Sequence, residues 1–528
     1  MTSDADERAG LVDPVGLVDP VGLVDPVDLV VVGGGPAGLA GAATALAGGL
    51  RVVLVDSGAT LGGQFWRQPA AGRVPRHARL HHDLGTYDAL AAYLRGHERG
   101  ALRVLSRHDA WTAALRDGGV EVHAVDRGGA PGRDRALVVR GARLLIATGA
   151  FDRQVPFPGW DLPGVYTAGG LQALLKGNGV RAGSRVVVAG TGPFLLPVAT
   201  GMADLGATVV AVCEANSPTR WARHLGAAAR TPQKGVEGVA YAGRLLRHRI
   251  PVHVRTAVVA AHGRDRLEAV TLAGLDGDGR VRPGTRRRVA VDALGVGWGF
   301  VPHLDLAVTL GARLVAGVDG NEVVAVDADQ RSSVPGVYVA GEATGVGGAE
   351  LALREGQLAG EAVLADSGRR SATPARRIAA VRRIVARQRA FARALWQAHP
   401  VPPRWPQWLA DETVVCRCEE VTAAQVRAAV AAGAADGRQV KQLTRTGMGW
   451  CQGRMCGYAA DRLCAFEAEA QGATAGALDP PDPSSAPSSP TAAAPTASAP
   501  TAAAIVPAPE RLVAAPVSLG ALADLSAM

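Results

Sequence analysis

The chain has 528 residues, 48% of which are apolar, and a formal net charge of +8. This length predicts two to four domains with cores of their own. Nearly all the cations are arginines, and no block of them is interleaved with aromatic residues, which argues against a nucleic-acid groove. The first ten residues are acidic and show no signal-peptide pattern, so we expect the chain to be cytoplasmic.

The chain begins with a short repeat. A hexapeptide, Leu-Val-Asp-Pro-Val-Gly, starts at Leu11 and Leu17 and is partly repeated from Leu23. Three short copies are too few for a solenoid, and a proline in each copy opposes a central strand. We therefore expect residues 1–27 to form a disordered leader without a function of its own.

The next segment carries the pattern around which the chain is organised. A valine-rich run breaks at Gly33-Gly-Gly35-Pro-Ala-Gly38, and a small-residue helix then leads to a strand ending at Asp56. This order predicts a dinucleotide site with a turn at Gly33, close pyrophosphate approach at Gly35 and tight helix packing at Gly38. The helix N-terminus attracts the phosphates, and Asp56 accepts a ribose hydroxyl. Residues 29–50 could span a bilayer by length, but their glycines cluster at the turn, so we expect no transmembrane segment.

Two further segments are expected near the bound nucleotide. The loop Leu61-Gly-Gly-Gln-Phe-Trp-Arg67 follows the second strand, and a buried strand from Arg143 ends in a glycine turn at Thr148-Gly149. Both lie where strands of a nucleotide-binding fold end. They are therefore candidate walls of the same site.

The opening pattern starts again at Arg185. A second valine-rich strand leads to Gly190-Thr-Gly192, a helix and a strand that ends at Glu214. Leu195 stands where the third glycine of the pattern belongs, and a leucine there should force the helix away from the strand or tilt it. A working nucleotide site and a retained fold with an altered or empty site both stay open.

A late strand ends at Gly341-Glu342 and is followed by a glycine turn to Gly348 and a helix. The three ordered motifs resemble the two-dinucleotide-domain flavoprotein superfamily of the disulfide-reductase type, over residues 28–366. The resemblance implies an α/β fold with two interleaved Rossmann-like domains and FAD on the first motif. It also implies that Glu342, where aspartate is usual, binds the ribityl or phosphate part of FAD. The helix after it would stabilise the N1/O2 edge of the flavin.

These patterns together predict the residues that contact FAD, with Gln64 and Arg67 as candidates at the flavin edge. The predicted contacts are Gly33, Gly35, Pro36, Ala37, Gly38, Asp56, Gly63, Gln64, Thr148, Gly149, Gly341, Glu342 and Gly348. No pair of cysteines stands beside either glycine motif, which excludes disulfide reduction as the chemistry. Cys213 is expected in a core. We assign no catalytic residue, since no Ser–His or His–Asp arrangement is evident.

Four cysteines form two close pairs near the C-terminal end, Cys416-Arg-Cys418 and Cys451-Gln-Gly-Arg-Met-Cys456. Four thiolates suit either tetrahedral zinc or an iron–sulfur cluster, and two irons accommodate unequal pair spacings more easily. The motif resembles the bacterioferritin-associated-ferredoxin-like domain. This implies a small, mainly helical domain with a [2Fe–2S] cluster on these four thiolates, and zinc stays the alternative. Cys464 is expected in the core.

Composition predicts the remaining segments. Pro374–His399 has apolar residues at helical spacing and seven arginines, typical of an amphipathic helix that ties two domains together or docks a partner. Almost all residues after 471 are small or proline until an apolar tail. The expected parts are a leader 1–27, an FAD-binding domain 28–160 with a return segment 296–366, a second Rossmann-like domain 161–295, a helical linker 367–410, a [2Fe–2S] domain 411–468, a disordered linker 469–509 and a C-terminal tail 510–528.

FAD and a [2Fe–2S] cluster on one chain can convert two-electron into one-electron chemistry. The whole arrangement resembles the FAD-containing subunits of hydrogen cyanide synthase, opine oxidase and hydroxyproline dehydrogenase, to which sarcosine oxidase large subunits are related. The resemblance implies an electron-relay subunit of a hetero-oligomeric amine or amino-acid dehydrogenase. Its partner would be an FAD-dependent catalytic subunit of the amine-oxidase fold.

Two other functions stay open. The first is a self-contained NADH-dependent reductase, because Glu214 would accept the ribose of NADH and repel the 2′-phosphate of NADPH. The second is a non-catalytic scaffold that binds a cluster or zinc and keeps a vestigial flavin fold.

Overall fold

The computed structural model describes residues 23–69, 78–98, 100–129 and 134–475. The strands, numbered in chain order, are β1 (Leu23–Val27), β2 (Leu29–Val32), β3 (Val52–Asp56), β4 (Leu102–Ser106), β5 (His108–Arg116), β6 (Gly119–Asp126), β7 (Arg135–Gly141), β8 (Leu144–Ile146), β9 (Ala150–Asp152), β10 (Val165–Thr167), β11 (Arg185–Gly190), β12 (Thr208–Glu214), β13 (Val252–Val254), β14 (Thr256–His262), β15 (Ala269–Gly274), β16 (Arg287–Ala290), β17 (Ala293–Gly297), β18 (Phe300–Pro302), β19 (Leu314–Ala316), β20 (Glu322–Val324), β21 (Val337–Val339), β22 (Val414–Cys416) and β23 (Val421–Thr422). The α-helices are α1 (Pro36–Ala47), α2 (Leu84–Arg95), α3 (Ala168–Asn178), α4 (Leu195–Asp204), α5 (Leu225–Ala229), α6 (Pro232–Arg247), α7 (Asp305–Thr309), α8 (Ala349–Asp366), α9 (Ala375–Ala398), α10 (Ala423–Ala431), α11 (Gly437–Thr444) and α12 (Gly457–Ala475).

Two five-stranded parallel sheets form the body of the molecule. The first has the order β21-β8-β2-β3-β4, and the second has the order β10-β17-β11-β12-β13. Every residue of β2 is buried, as are all but the first residue of β11. Continuous apolar strands of this kind form parallel sheets that are covered on both faces. Helices α1 and α8 cover one face of the first sheet and share its core.

The two sheets interleave along the chain. Strand β21 comes after the whole second sheet and pairs with β8, which places Val337 beside Leu144 and Val339 beside Ile146. The chain passes between the two domains after β9 and before β18, and these two strands pair antiparallel. The carboxyl ends of β2, β8 and β21 therefore meet at one edge of the first sheet, where open α/β sheets bind their ligands.

The C-terminal part packs on the second domain. After α9 the chain forms the β22–β23 hairpin and the helices α10, α11 and α12. The Trp160 indole N–H donates to the carbonyl oxygen of Val414 at 2.6 Å, and that of Trp408 donates to the carbonyl oxygen of Gly279 at 3.1 Å. Buried residues of both parts belong to one continuous core, which also holds Cys213 and Cys464 as predicted.

Two predicted boundaries need correction. Leu23–Val27, assigned to the disordered leader, forms β1 and pairs with β7 at the edge of an antiparallel sheet. An edge strand tolerates the missing N–H of Pro26. Helix α12 extends to Ala475, past the predicted linker start at 469, because Glu, Ala and Gln at 469–471 favour a helix.

The remaining leader residues 1–22, the rest of the linker and the apolar tail 510–528 lie outside the described residues. Within the described ranges, no helix combines the length and the apolar character that a membrane span requires.

Candidate functional site

The first glycine turn joins β2 to α1. A Cβ on Gly38 would lie 1.8 Å from the carbonyl oxygen of Gly33, so the helix approaches the strand too closely for any side chain at this position. Gly35 differs, because the nearest protein atom to an added Cβ is the Cα of Gly63 at 3.8 Å. The protein thus leaves space beside Gly35, where a pyrophosphate needs close access to the backbone.

Asp56 ends β3 beside this turn. Its carboxylate accepts hydrogen bonds from the N–H groups of Gly34 at 2.5 Å and Gly58 at 2.7 Å. Burial raises the pKa of Asp56 above its ordinary value, although both hydrogen bonds oppose the shift. A carboxylate has about four acceptor positions, so two donors leave capacity for ribose hydroxyls.

The turn opens onto a cavity of about 2310 Å³. Sites for one small ligand commonly measure about 300–1,000 Å³, so this cavity has room for an extended cofactor and more. Gly38 is absent from its wall because it packs against Gly33. The other predicted cofactor residues line the cavity together with Arg67: Gly33, Gly35, Pro36, Ala37, Asp56, Gly63, Gln64, Thr148, Gly149, Gly341, Glu342 and Gly348.

Glu342 lies at the start of the glycine turn that leads into α8. Its carboxylate accepts hydrogen bonds from the N–H groups of Gly347 at 3.2 Å and Gly348 at 3.0 Å. Burial raises the pKa of Glu342 to about 7. The backbone N–H of Gly348, a predicted FAD contact, is therefore bound by this side chain.

A buried ion pair below this turn was missed from the sequence. Glu355 on α8 is fully buried and pairs with Arg389 of α9 at 2.7 Å. The same carboxylate accepts the N–H of Gly341 at 2.9 Å. This pair connects α9 to the cofactor turn, and the helical pattern alone gave no sign of it, because it looks like two ordinary surface charges.

The loop after β3 meets a lysine from the second domain. Arg67 donates a hydrogen bond to the side-chain oxygen of Gln64, and both residues line the cavity. The Lys176 ammonium donates to the carbonyl oxygen of Phe65 at 2.8 Å. Burial and the charge of Arg67 lower the pKa of Lys176 to about 8. No sequence pattern singled out Lys176 as a residue of this site.

The second glycine turn joins β11 to α4 and is arranged differently. Helix α1 begins directly after Gly35, whereas α4 begins at Leu195, three residues after Gly192. Leu195 is buried, and its side chain packs against Gly297 of β17. Only Gly192 of the predicted second-site residues lines the cavity; Gly190 and Glu214 do not.

The four candidate metal ligands converge at the C-terminal domain. The thiol of Cys456 is hydrogen-bonded to those of Cys416 and Cys451, and Cys418 is hydrogen-bonded to Cys451. A Cβ on Gly449 would lie 2.2 Å from the Cβ of Cys418. The loop that precedes Cys451 therefore packs directly against the first cysteine pair. Such a set can supply the four thiolates that a [2Fe–2S] cluster divides between two irons.

The thiols differ in exposure and in charge. Cys416 and Cys456 are buried, whereas Cys418 is exposed to solvent. The hydrogen bond from Cys456 lowers the pKa of Cys451 to about 5 and that of Cys416 to about 6. Thiolates are the form that binds metal. Among the described residues, no three or more His, Cys, Asp or Glu side chains are arranged to hold a single ion.

One contact links the cysteine loop to the cavity. Arg454, which lies between Cys451 and Cys456, donates to the carboxylate of Asp305 at 2.7 Å and lies 3.2 Å from Nε2 of His303. His303 lines the cavity, and its carbonyl oxygen accepts the hydroxyl of Thr148 at 2.7 Å. The cysteine loop therefore contacts the cavity wall directly, through Arg454 and His303.

Comparisons with known proteins identify both domains. A family model for pyridine nucleotide-disulphide oxidoreductase matches residues 27–363, and one for the BFD-like [2Fe-2S] binding domain matches residues 414–465. The HcnB component of hydrogen cyanide synthase from Pseudomonas protegens is 34% identical over 454 residues, which cover 82% of this chain and 91% of the relative. One of the subunits of the opine oxidase from Rhizobium meliloti is also 34% identical over 454 residues, covering 83% and 92%.

One solved structure shares the fold over most of the chain. The L-proline dehydrogenase structure from P. horikoshii is 20% identical, covers 87% of this chain and 77% of its own, and superimposes with a TM-score of 0.59. Together with the family matches, this likeness confirms the predicted α/β fold with a small C-terminal helical domain.

Proposed function

Because the chain belongs to the pyridine nucleotide-disulphide oxidoreductase family and contains a BFD-like [2Fe-2S] domain, we propose that it is the electron-relay subunit of a hetero-oligomeric amine or amino-acid dehydrogenase or oxidase. It is an FAD- and [2Fe–2S]-containing oxidoreductase. The observation that carries the relay role is the similarity across both domains to relatives that are themselves named as subunits. We propose opine, hydroxyproline or glycine-type compounds as the substrate class of the complex.

The chain offers a place for each group. We propose that FAD lies along the Gly33–Gly38 turn with its ribose on Asp56, and that Cys416, Cys418, Cys451 and Cys456 hold the cluster. FAD exchanges two electrons and a [2Fe–2S] cluster carries one at a time, so together they supply a two-to-one-electron converter.

The surrounding residues prepare the cavity for this chemistry. The positive charges of Arg67 and Lys176 lie on the cavity wall with Gln64, where they would stabilise negative charge on a reduced flavin. His303 and Arg454 hold the cysteine loop against the same cavity. This contact keeps the two redox sites in a fixed relation, and rigid support of that kind is what functional geometry requires.

The exposed side of the cluster domain is where we place electron transfer to or from another protein. Cys418 is solvent-exposed, and Trp450, next to Cys451, exposes 78% of its surface. Tryptophan is enriched among the residues that carry most of the binding energy of protein interfaces, which favours this surface as the docking site. We propose an FAD-dependent catalytic subunit of the amine-oxidase fold as the member of the complex that oxidises the substrate.

The test uses the purified holo-subunit with and without that partner. We expect flavin bands with added iron–sulfur absorption, and no oxidation of amines until the catalytic subunit is present. Robust amine oxidation by the isolated subunit would contradict the relay role. A spectrum without flavin bands would instead favour the non-catalytic scaffold.

A further inference from the structure

We propose that the second glycine–acid unit no longer receives a nucleotide but holds the chain's own His399–Pro400 segment, and that it thereby positions the iron–sulfur domain. This segment joins the end of α9 to the domain that carries the four cysteines. We call this unit, which is closed to a nucleotide, the closed site, and its closure follows from the geometry alone. The positioning role rests on the proposed relay function.

The Glu214 carboxylate is already saturated with donors. One oxygen accepts the backbone N–H of Asn216 at 2.9 Å and the hydroxyl of Thr191 at 3.1 Å. The other accepts the N–H of Gly192 at 2.8 Å and lies 3.3 Å from Nδ1 of His399. The side-chain amide of Asn216 also donates to the first oxygen, at 3.3 Å. The four donors from Thr191, Gly192 and Asn216 use the roughly four acceptor positions of a carboxylate, so none is left for ribose hydroxyls.

The His399 ring is fixed on both sides. The indole N–H of Trp221 points to Nε2 of His399 at 3.0 Å. Because a tryptophan can only donate, Nε2 is the accepting nitrogen, and the ring proton is on Nδ1, facing Glu214. The side chains of Glu214 and His399 are only 13% and 14% exposed. The imidazole therefore fills the position in which a nucleotide-binding acid meets its ligand.

The backbone of the segment is bound by the same unit. The side-chain amide of Asn216 donates to the carbonyl oxygen of Pro400 at 2.9 Å. The hydroxyl of Thr191, whose single proton is shared between this acceptor and Glu214, lies 3.2 Å from the carbonyl oxygen of His399. Side chains at the ends of β11 and β12, where a dinucleotide would bind, thus recognise a peptide of this chain.

The next residues transmit this anchor to the cysteine domain. Pro402 packs closely on Gly279, because a Cβ added to Gly279 would lie 2.4 Å from the Cβ of Pro402. The indole N–H of Trp408 donates to the carbonyl oxygen of the same glycine. The chain is therefore bound to the second domain at His399 and again at Trp408, eight residues before Cys416. Pinning at two points restricts the cysteine domain to one placement relative to the cavity.

The first part of the experiment is calorimetric titration of the holo-subunit with NAD⁺ and NADH up to about millimolar concentration. We expect no binding. Binding that is weakened by Glu214→Gln would show that Glu214 is available to a nucleotide, and would overturn the closed site without touching the relay role.

The second part compares Glu214→Gln with Asp56→Asn, the matched change in the first unit. A glutamine at 214 points an N–H group at the donors of Gly192 or Asn216, so we expect amide hydrogen exchange of residues 395–409 to rise about tenfold. FAD and cluster contents should be retained, while the rate of electron transfer between flavin and cluster falls. Asp56→Asn should lower FAD content and leave this exchange unchanged.

A rescue variant separates positioning from general damage. His399→Ala should reproduce the increased exchange and the slower transfer, whereas His399→Asn, which keeps an N–H near the place of Nδ1, should restore both. Unchanged exchange and unchanged transfer in Glu214→Gln and His399→Ala would overturn the positioning role. Amine oxidation by the isolated subunit would refute the relay and leave the closed site standing.

Discussion

The two glycine turns of this chain share a plan and differ in what covers them. In the first, Asp56 accepts two backbone hydrogen bonds and the turn opens onto the large cavity. In the second, the Glu214 carboxylate is enclosed by its own turn and by His399. The glycine pattern therefore determines the local strand–turn–helix geometry, whereas access for a nucleotide depends on which segment packs over the acid.

The helices that follow the two turns differ in where they begin. Helix α1 starts directly after Gly35, so its free N–H groups lie at the turn, whereas α4 starts only at Leu195. Phosphate binding uses the first N–H groups of such a helix. In the second unit, where Leu195 replaces the third glycine, the first N–H groups of the helix therefore lie farther from the turn. This difference adds to the obstruction at Glu214.

The largest effect should come from Gly38→Ala. Its Cβ would meet the Gly33 carbonyl oxygen at 1.8 Å, so we expect a loss of at least about 3 kcal/mol in unfolding free energy and no bound flavin. Thermal unfolding and the flavin absorbance measure both. Gly243→Ala in α6 is the control, because its Cβ meets nothing within 4 Å, and it should be neutral or stabilising. Equal behaviour of the two variants would refute the close packing of α1.

Gly35→Ala should separate cofactor binding from folding. The nearest protein atom to the new Cβ is 3.8 Å away, so we expect a near-normal unfolding temperature and FAD affinity reduced about tenfold or more. The corresponding change in the second unit, Gly192→Ala, should cost about 1–2 kcal/mol through its positive φ and leave FAD content unchanged. Equilibrium dialysis of FAD distinguishes them. Unaltered FAD affinity in Gly35→Ala would place the pyrophosphate elsewhere.

Glu214→Gln should show a pH-dependent loss of stability. Burial disfavours the charged form of Glu214, but the neighbouring His399 imidazole and the N–H groups of Asn216 and Gly192 outweigh this effect, so the pKa of Glu214 lies below its ordinary value. The stabilisation is therefore present above the unfolded-state pKa of about 4.3 and is lost as pH falls through the lower folded-state value.

We expect the variant to be less stable than the wild type by about 1–3 kcal/mol near neutral pH, with the difference disappearing in acid. Denaturant unfolding at a series of pH values measures it. A difference in unfolding free energy that grows as the pH falls would contradict the lowered pKa of Glu214.

The smallest effect should come from Lys176→Met, which removes a charge that the second domain contributes to the first site. We expect the flavin potential to fall by on the order of 30 mV, because the ammonium stabilises the negatively charged reduced cofactor. Its pKa of about 8 means that the difference from wild type should shrink as pH rises above that value. Arg181→Met, a change at an exposed guanidinium bonded to Gly206, is the control. A pH-independent difference would argue against the lysine charge.

Local patterns predicted most of the first site and the cysteine set. The Gly33–Gly38 turn, Asp56 and the cysteine pairs are short-range features whose spacing reflects the geometry of one turn or one cluster. The contacts that decide access and coupling are long-range: Thr191 and His399 are 208 residues apart, and Arg454 and His303 are 151 apart. No periodicity within either segment indicates its distant neighbour, because such packing depends on how whole domains fit together.

The most direct measurement of the difference between the two turns is anaerobic stopped-flow absorbance of the purified holo-subunit. The protein is mixed first with NADH and then, separately, with the amine substrate in the presence of its catalytic subunit. We expect the flavin bands to persist with NADH and to bleach only in the complex that oxidises the amine. Rapid bleaching by NADH alone would contradict both the closed second turn and the relay role.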